Sequence, residues 1–100
     1  MFIKTARNSS IMLDIFLRQK PSKLFVLLKD QNSEWHLSKL ARSSDMTYVY
    51  VTKLATYFNS KGLLTIENKG KKKIVKLTEK GFALAKILDE LMLLLKSYDS

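Results

Sequence analysis

Three observations predict an α+β fold, mainly α. Ser38-Lys-Leu-Ala-Arg is followed, ten residues after Ala41, by Val51 inside Thr47-Tyr-Val-Tyr-Val-Thr-Lys-Leu, which is the spacing of two helices that cross over a short turn. Gly62 then leads into Leu63-Leu-Thr-Ile-Glu-Asn-Lys-Gly-Lys-Lys-Lys-Ile-Val-Lys-Leu77, two short strands joined by a lysine-tipped turn from Asn68 to Lys72. Beyond Thr78, leucines recur at spacings of four and three almost to the end of the chain. Together these pieces make a winged helix-turn-helix with a long C-terminal dimerisation helix. The expected organisation is an N-terminal arm over residues 1–10, the winged helix-turn-helix over 11–77 and the dimerisation helix over 78–100.

Residues 1–10 lack periodicity and read as a loose arm or an added strand. Ile11 to Leu17 is an apolar run too short and too filled for its period to separate helix from strand, although Ser9-Ser10 before it suits a helix cap. Pro21 closes that segment and suits the first position of a helix whose inward face is Leu24, Phe25, Leu27 and Leu28. Asp30-Gln-Asn-Ser ends it. Trp35 fits a short strand at the base of the wing, and a helix beginning near His36 carries Leu37, Leu40 and Ala41 inward.

The next helix spans about Thr47 to Ser60. Thr47 is its cap, Val51, Leu54 and Phe58 form a core stripe at i, i+3 and i+7, and Lys61-Gly62 supplies a left-handed stop. In the hairpin, Leu64 and Ile66 alternate with Thr65 and Glu67, and Ile74 and Lys76 with Val75 and Leu77, with Gly70 at the turn. Thr78 caps a last helix reaching about Tyr98, along which Leu84, Leu88, Leu91, Leu95 and Tyr98 form a heptad seam. Phe82, Ala85, Ile87, Met92 and Leu94 widen this apolar arc beyond what one small domain covers, so a second copy is expected on it. The alternative is a helix folded back over its own core.

A chain of 100 residues with 46% apolar content fits one small domain with a modest core. It has no cysteine and one histidine, so neither disulfides nor a metal is expected to stabilise it, and self-association is the better source. Met-Phe-Ile-Lys-Thr-Ala-Arg lacks the apolar run of a signal peptide. The longest apolar stretch, Leu91 to Leu95, is far below the roughly 20 residues of a bilayer span. A soluble, cytoplasmic protein is expected.

The net charge is +9, and its placement is informative. Between Leu37 and Leu77 lie Lys39, Arg42, Lys53, Lys61, Lys69, Lys71, Lys72, Lys73 and Lys76, against only Asp45 and Glu67. A polyanion partner follows, with double-stranded DNA the commonest kind; a solubilising lysine surface is the bland alternative. The glycines are isolated and form no phosphate loop, Asp89 and Glu90 diverge on their helix, and His36 has no second histidine or cysteine near it. No catalytic residue, cofactor or metal is therefore assigned, and an enzyme is not expected.

The chain resembles the archaeal and bacterial winged-helix transcription regulators of the MarR type, and small dimeric archaeal DNA-binding proteins like them. The resemblance rests on Leu37-Ser-Lys-Leu-Ala-Arg, Val51-Thr-Lys-Leu, Lys61-Gly-Leu-Leu and Leu77-Thr-Glu-Lys-Gly81, in that order, over roughly residues 22–90. It departs from the family at Ser44, usually apolar, at Asp45, usually glycine, and at His36, where Ser or Thr often caps the helix. The chain is also shorter than the usual regulator, which reduces the elements that frame an effector pocket in that family. The resemblance implies major-groove reading by the first turns of the second helix.

The residues assigned to DNA are Lys39 and Arg42 on the first helix, Thr47, Tyr48, Val49, Tyr50, Thr52 and Lys53 on the second, and Lys69, Lys71, Lys72 and Lys73 in the wing. Tyr57 is read as packing instead. With no arginine on the second helix, the commonest bidentate reading of guanine is missing, so preference rests on thymine-methyl contact from Val49 and on DNA shape. The expected function is that of a homodimeric DNA-binding transcription regulator, most simply a repressor by occlusion. The alternatives are a chromatin-like architectural protein of low specificity and a winged-helix protein-interaction module.

Overall fold

A computed structural model describes residues 10–99, so the expected arm lies, apart from Ser10, outside the described residues. The elements are α1 (Ile11–Phe16), α2 (Gln19–Leu27), β1 (Trp35–His36), α3 (Leu37–Ser44), α4 (Tyr48–Ser60), β2 (Leu64–Lys69), β3 (Lys72–Leu77) and α5 (Glu79–Ser97). The ambiguous run after Ser10 is a helix, capped by Ser10 Oγ accepting from the Leu13 N–H at 3.1 Å.

Pro21 is the third residue of α2 rather than its first. The shift is tolerated because N–H groups throughout the first turn lack an intrahelical partner, so a missing one costs nothing there. The buried Ser22 donates its hydroxyl back to the Phe16 carbonyl at 2.7 Å and pins α1 to α2. Phe16, Phe25 and Phe58 meet with ring centroids 5.1 to 5.3 Å apart, one pair stacked and two edge-to-face. Each such pair is worth about 0.5–1.5 kcal/mol beyond area burial, so this cluster locks α1, α2 and α4 together. Around it lie Leu24, Leu40, Val51, Leu54, Ala55, Leu64, Val75 and Ala85.

The sheet has the order β1-β3-β2 and is antiparallel throughout. Pairing of Leu64 with Leu77, Ile66 with Val75 and Trp35 with Val75 places these residues on the core face. Thr65, Lys76, Glu67, Ile74 and His36 share the other face; the expected alternation holds in β2, but in β3 the adjacent Ile74 and Val75 are both buried, one on each face.

Two stops orient the helices. At the end of α4, Gly62 takes φ 75°, the Leu63 N–H returns to the Phe58 carbonyl at 3.0 Å and the Gly62 N–H to that of Asn59 at 3.1 Å. This is a Schellman stop, which turns the chain into β2. At the end of α3, Asp45 adopts φ 57° in the position where glycine is usual. Aspartate tolerates that conformation better than most residues. Lys20 Nζ reaches the Asp45 carbonyl at 3.1 Å and its carboxylate at 3.2 Å across the same turn. Ser44 is buried but satisfied, its hydroxyl donating to the Leu40 carbonyl.

Thr78 splices the last helix to the rest: its hydroxyl accepts from the Gly81 N–H and donates to the Gly62 carbonyl, and its N–H donates to the Leu63 carbonyl. The first half of α5 then buries Ala85 and Leu88 against the core, with Leu84 packed beside them, and Lys29 meets Asp89 at 2.6 Å between α2 and α5. Leu88, expected on the seam between two copies, is thus 7% exposed within its own chain, whereas Leu91, Leu95 and Tyr98 are 47%, 53% and 71% exposed. The reason is geometric. α5 is about 28 Å long, and its buried residues, Gly81, Ala85 and Leu88, all lie in its first half.

Candidate nucleic-acid interface

Rotation of α4 decides which of its side chains meet a ligand. Val51, Leu54, Ala55 and Phe58 are all buried, and Ala55 extends the core stripe beyond the expected three residues. Opposite them, Val49, Lys53 and Thr56 form an exposed stripe at i, i+4 and i+7. Val49 is 64% exposed and Tyr48, in the first turn, 48%. Thr56 lies on this stripe although it was not among the assigned residues; its spacing from Val49 and Lys53 was the available signal.

Several assigned side chains already have partners. Thr47 Oγ1 accepts from the Tyr50 N–H at 3.1 Å, and Thr52 Oγ1 donates to the Tyr48 carbonyl at 2.8 Å. Thr52 therefore has its donor engaged within the helix. Tyr50, expected to face a ligand, is half-buried and packs against the core, with Tyr57 likewise packed as anticipated. Tyr50 also borders an open cleft of about 600 Å³ with Arg18, Lys20, Pro21, Asp45 and Thr47. The cleft brings the start of α2 to the start of α4, so Arg18 and Lys20 flank α4. Sequence reasoning missed both, because it counted basic residues only from Leu37 onward.

Arg42 is exposed near the end of α3, while Lys39 places its ammonium 4.6 Å from the centroid of the Trp35 ring. In the wing, Lys71, Lys72 and Lys73 are exposed, but Lys69 is paired with Glu34 at 3.2 Å. That pair braces the wing against the stretch before β1. Its hydrogen bond to Lys69 and the positive charge there hold the Glu34 carboxyl below its ordinary range. His36 is pushed down from its ordinary value first by burial, then by the positive charges of Lys72, Arg42 and Lys39. Asp45, the C-cap of α3, is paired with Lys20.

Among the described residues no group of three or more His, Cys, Asp or Glu could hold a metal ion, and no helix is long and apolar enough to cross a membrane.

No protein-family model and no curated protein matches the chain. Solved structures do. Sso10a-2, a DNA-binding protein from Sulfolobus solfataricus, superposes with a TM-score of 0.65 at 21% identity over 81% of this chain and 85% of its own. MepR, a transcription regulator of the Staphylococcus aureus multidrug efflux pump MepA, gives 0.67 at 22% identity over 87% of this chain and 67% of its own, and it has also been solved in complex with DNA. The MarR family transcriptional regulator SPO1453 from Silicibacter pomeroyi gives 0.70 at 22% identity over 87% and 63%. The chain thus spans about two thirds of the length of these two regulators. At such identities the likeness establishes architecture, and the architecture is that of a winged helix-turn-helix.

Proposed function

We propose that the protein binds double-stranded DNA as a homodimer and regulates transcription, most simply by occluding a promoter. The observation that carries this reading is the outward stripe of α4, Val49, Lys53 and Thr56, locked in rotation by four buried residues on the opposite face. Arg42, Lys71, Lys72 and Lys73 supply exposed cations on the flanking elements. The stripe reads base edges in the major groove, and the flanking cations hold phosphates. MepR and Sso10a-2, which share the fold, are DNA-binding proteins, and this adds weight.

Dimerisation is part of the proposal. Leu91, Leu95 and Tyr98 are exposed at the end of α5, and Ile11, Leu13 and Leu17 of α1 are exposed as well. Leu17, Leu91 and Leu95 border one apolar cleft of about 260 Å³. A second copy laid on these residues removes them from water and sets two α4 helices apart for successive grooves.

A second reading, an architectural protein with little sequence preference, is favoured by one observation: α4 carries no arginine, and its exposed stripe offers one lysine, one hydroxyl and one methyl-bearing side chain. The ratio of affinities for a selected site and for random duplex at one salt concentration separates the two. Fluorescence anisotropy on a labelled duplex tests DNA binding itself. Replacing Lys71, Lys72 and Lys73 by alanine should make the fall of log affinity with log salt shallower by roughly 0.9 per lost contact. An unchanged slope would show that the wing points away from DNA, and absence of binding by the wild type would favour the protein-interaction alternative.

A further inference from the structure

His36 is the only histidine of the chain, and its two ring nitrogens have different surroundings. Nδ1 accepts a hydrogen bond from the Lys39 N–H at 3.3 Å and so must carry a lone pair. The neutral ring therefore holds its proton on Nε2. Among the described residues Nε2 has no hydrogen-bond partner, although His36 is half-buried.

The ring stands on the face of the sheet opposite to Trp35 and Val75, beside the buried Ile74. His36 is opposite Ile74, and Lys72 lies two residues from Ile74 on that same face. Lys39 follows His36 by three residues along α3, which returns it towards the side of His36, whereas Arg42, six residues on, lies further round the helix. The charged groups that act on the imidazole are Lys72 from β3, Arg42 and Lys39 from α3, and Glu34 from the stretch before β1. Glu34 is engaged by Lys69, and the Lys39 ammonium sits over Trp35. What remains without a partner among the described residues is one neutral N–H donor, with Lys72 on the neighbouring strand.

We propose that His36 is a phosphate-binding residue, donating its Nε2–H to a nucleic-acid phosphate oxygen held by Lys72. This rests on the DNA-binding reading above and deepens it. A protonated ring cannot keep the bond to the Lys39 N–H, and burial and three cations oppose protonation. The contact is therefore made by the neutral tautomer. It adds affinity without releasing a counterion.

His36→Ser is the test, because serine keeps a short oxygen to accept the Lys39 N–H and loses only the Nε2–H. On a random-sequence duplex of 20 base pairs the variant should bind about tenfold more weakly at fixed salt, the scale of a hydrogen bond to a charged group. Its slope of log affinity against log salt should equal that of the wild type, whereas Lys72→Ala should be shallower by about 0.9 per contact. Equal affinity, or a loss accompanied by a shallower slope, overturns the proposal. Should His36→Ser not fold, nitrogen-15 spectra of the single imidazole in the wild type decide: duplex should leave the Nε2–H tautomer in place and slow exchange of its proton. Unaltered exchange, or a switch to the doubly protonated ring near neutral pH, overturns it. Failure of the wild type to bind duplex sinks the DNA-binding reading itself, while binding with no role for His36 sinks this inference alone.

Discussion

Gly81→Ala is the substitution for which helix propensity and tertiary structure disagree about sign. Gly81 is the third residue of α5, and by propensity alone alanine there stabilises by about 1 kcal/mol. A Cβ at this position would, however, stand 1.8 Å from the Leu63 carbonyl oxygen and 2.9 Å from its carbon. Carbon needs about 3.5 Å, so one backbone must retreat by roughly 1.5 Å. Leu63 cannot retreat freely. Its carbonyl accepts the Thr78 N–H at 3.1 Å, and its own N–H closes the α4 stop on Phe58 at 3.0 Å. Overpacking of this sort costs about 1–3 kcal/mol, and a strained backbone hydrogen bond adds about 1 kcal/mol. Less the propensity gain, the net loss is about 1–3 kcal/mol. For a domain of this size that lowers Tm by about 4–8 °C per kcal/mol. Urea titration at one fixed protein concentration should show the midpoint falling by about 1 M or more, with m little changed. A variant as stable as the wild type would refute the reasoning, because it would mean that α5 does not approach Leu63 as closely as described.

Three other outcomes are expected. Leu54→Ala should lower stability by about 2–5 kcal/mol while Lys53→Ala leaves Tm nearly unchanged and weakens duplex binding; exchanged effects would mean that α4 is rotated. Leu91→Lys with Leu95→Lys should yield monomers in sedimentation at tens of micromolar, with far-UV circular dichroism preserved, since both side chains lie outside the core; a wild type already monomeric there would dispose of the dimer. Stability should decline on acidification, because both resolved shifts are downward. The part due to His36 is complete above its ordinary value of 6.5 and is lost as pH falls below it, and that of Glu34 follows below 4.5. A wild-type Tm that stays flat from pH 7 down to pH 4 would contradict the sign.

The sequence determined by itself whatever follows from period and local chemistry. Val51, Leu54 and Phe58 set the rotation of α4 because a helix presents every third or fourth residue to one side. Thr47 and Thr78 cap where a short side-chain oxygen must meet unpaired N–H groups, and Gly62 stops α4 where a left-handed residue is needed. The alternation of the hairpin likewise needs only a two-residue repeat. Tertiary structure alone decided what depends on who meets whom. Leu88 and Leu91 carry the same heptad signal, yet one is in the core and the other in water, because the core reaches along α5 only as far as Leu88. Of the wing lysines, Lys69 is taken by Glu34, 35 residues away, and Lys39 by the ring of Trp35. Composition cannot tell a free cation from a paired one, since pairing is set by distances closed only on folding. Tyr50 leans on the core, Arg18 and Lys20 arrive beside α4 from a distant helix, and His36 pairs with Ile74 of β3. Each is a contact between segments whose separation along the chain carries no period, which is why the fold was legible and the chemistry of its surface only half so.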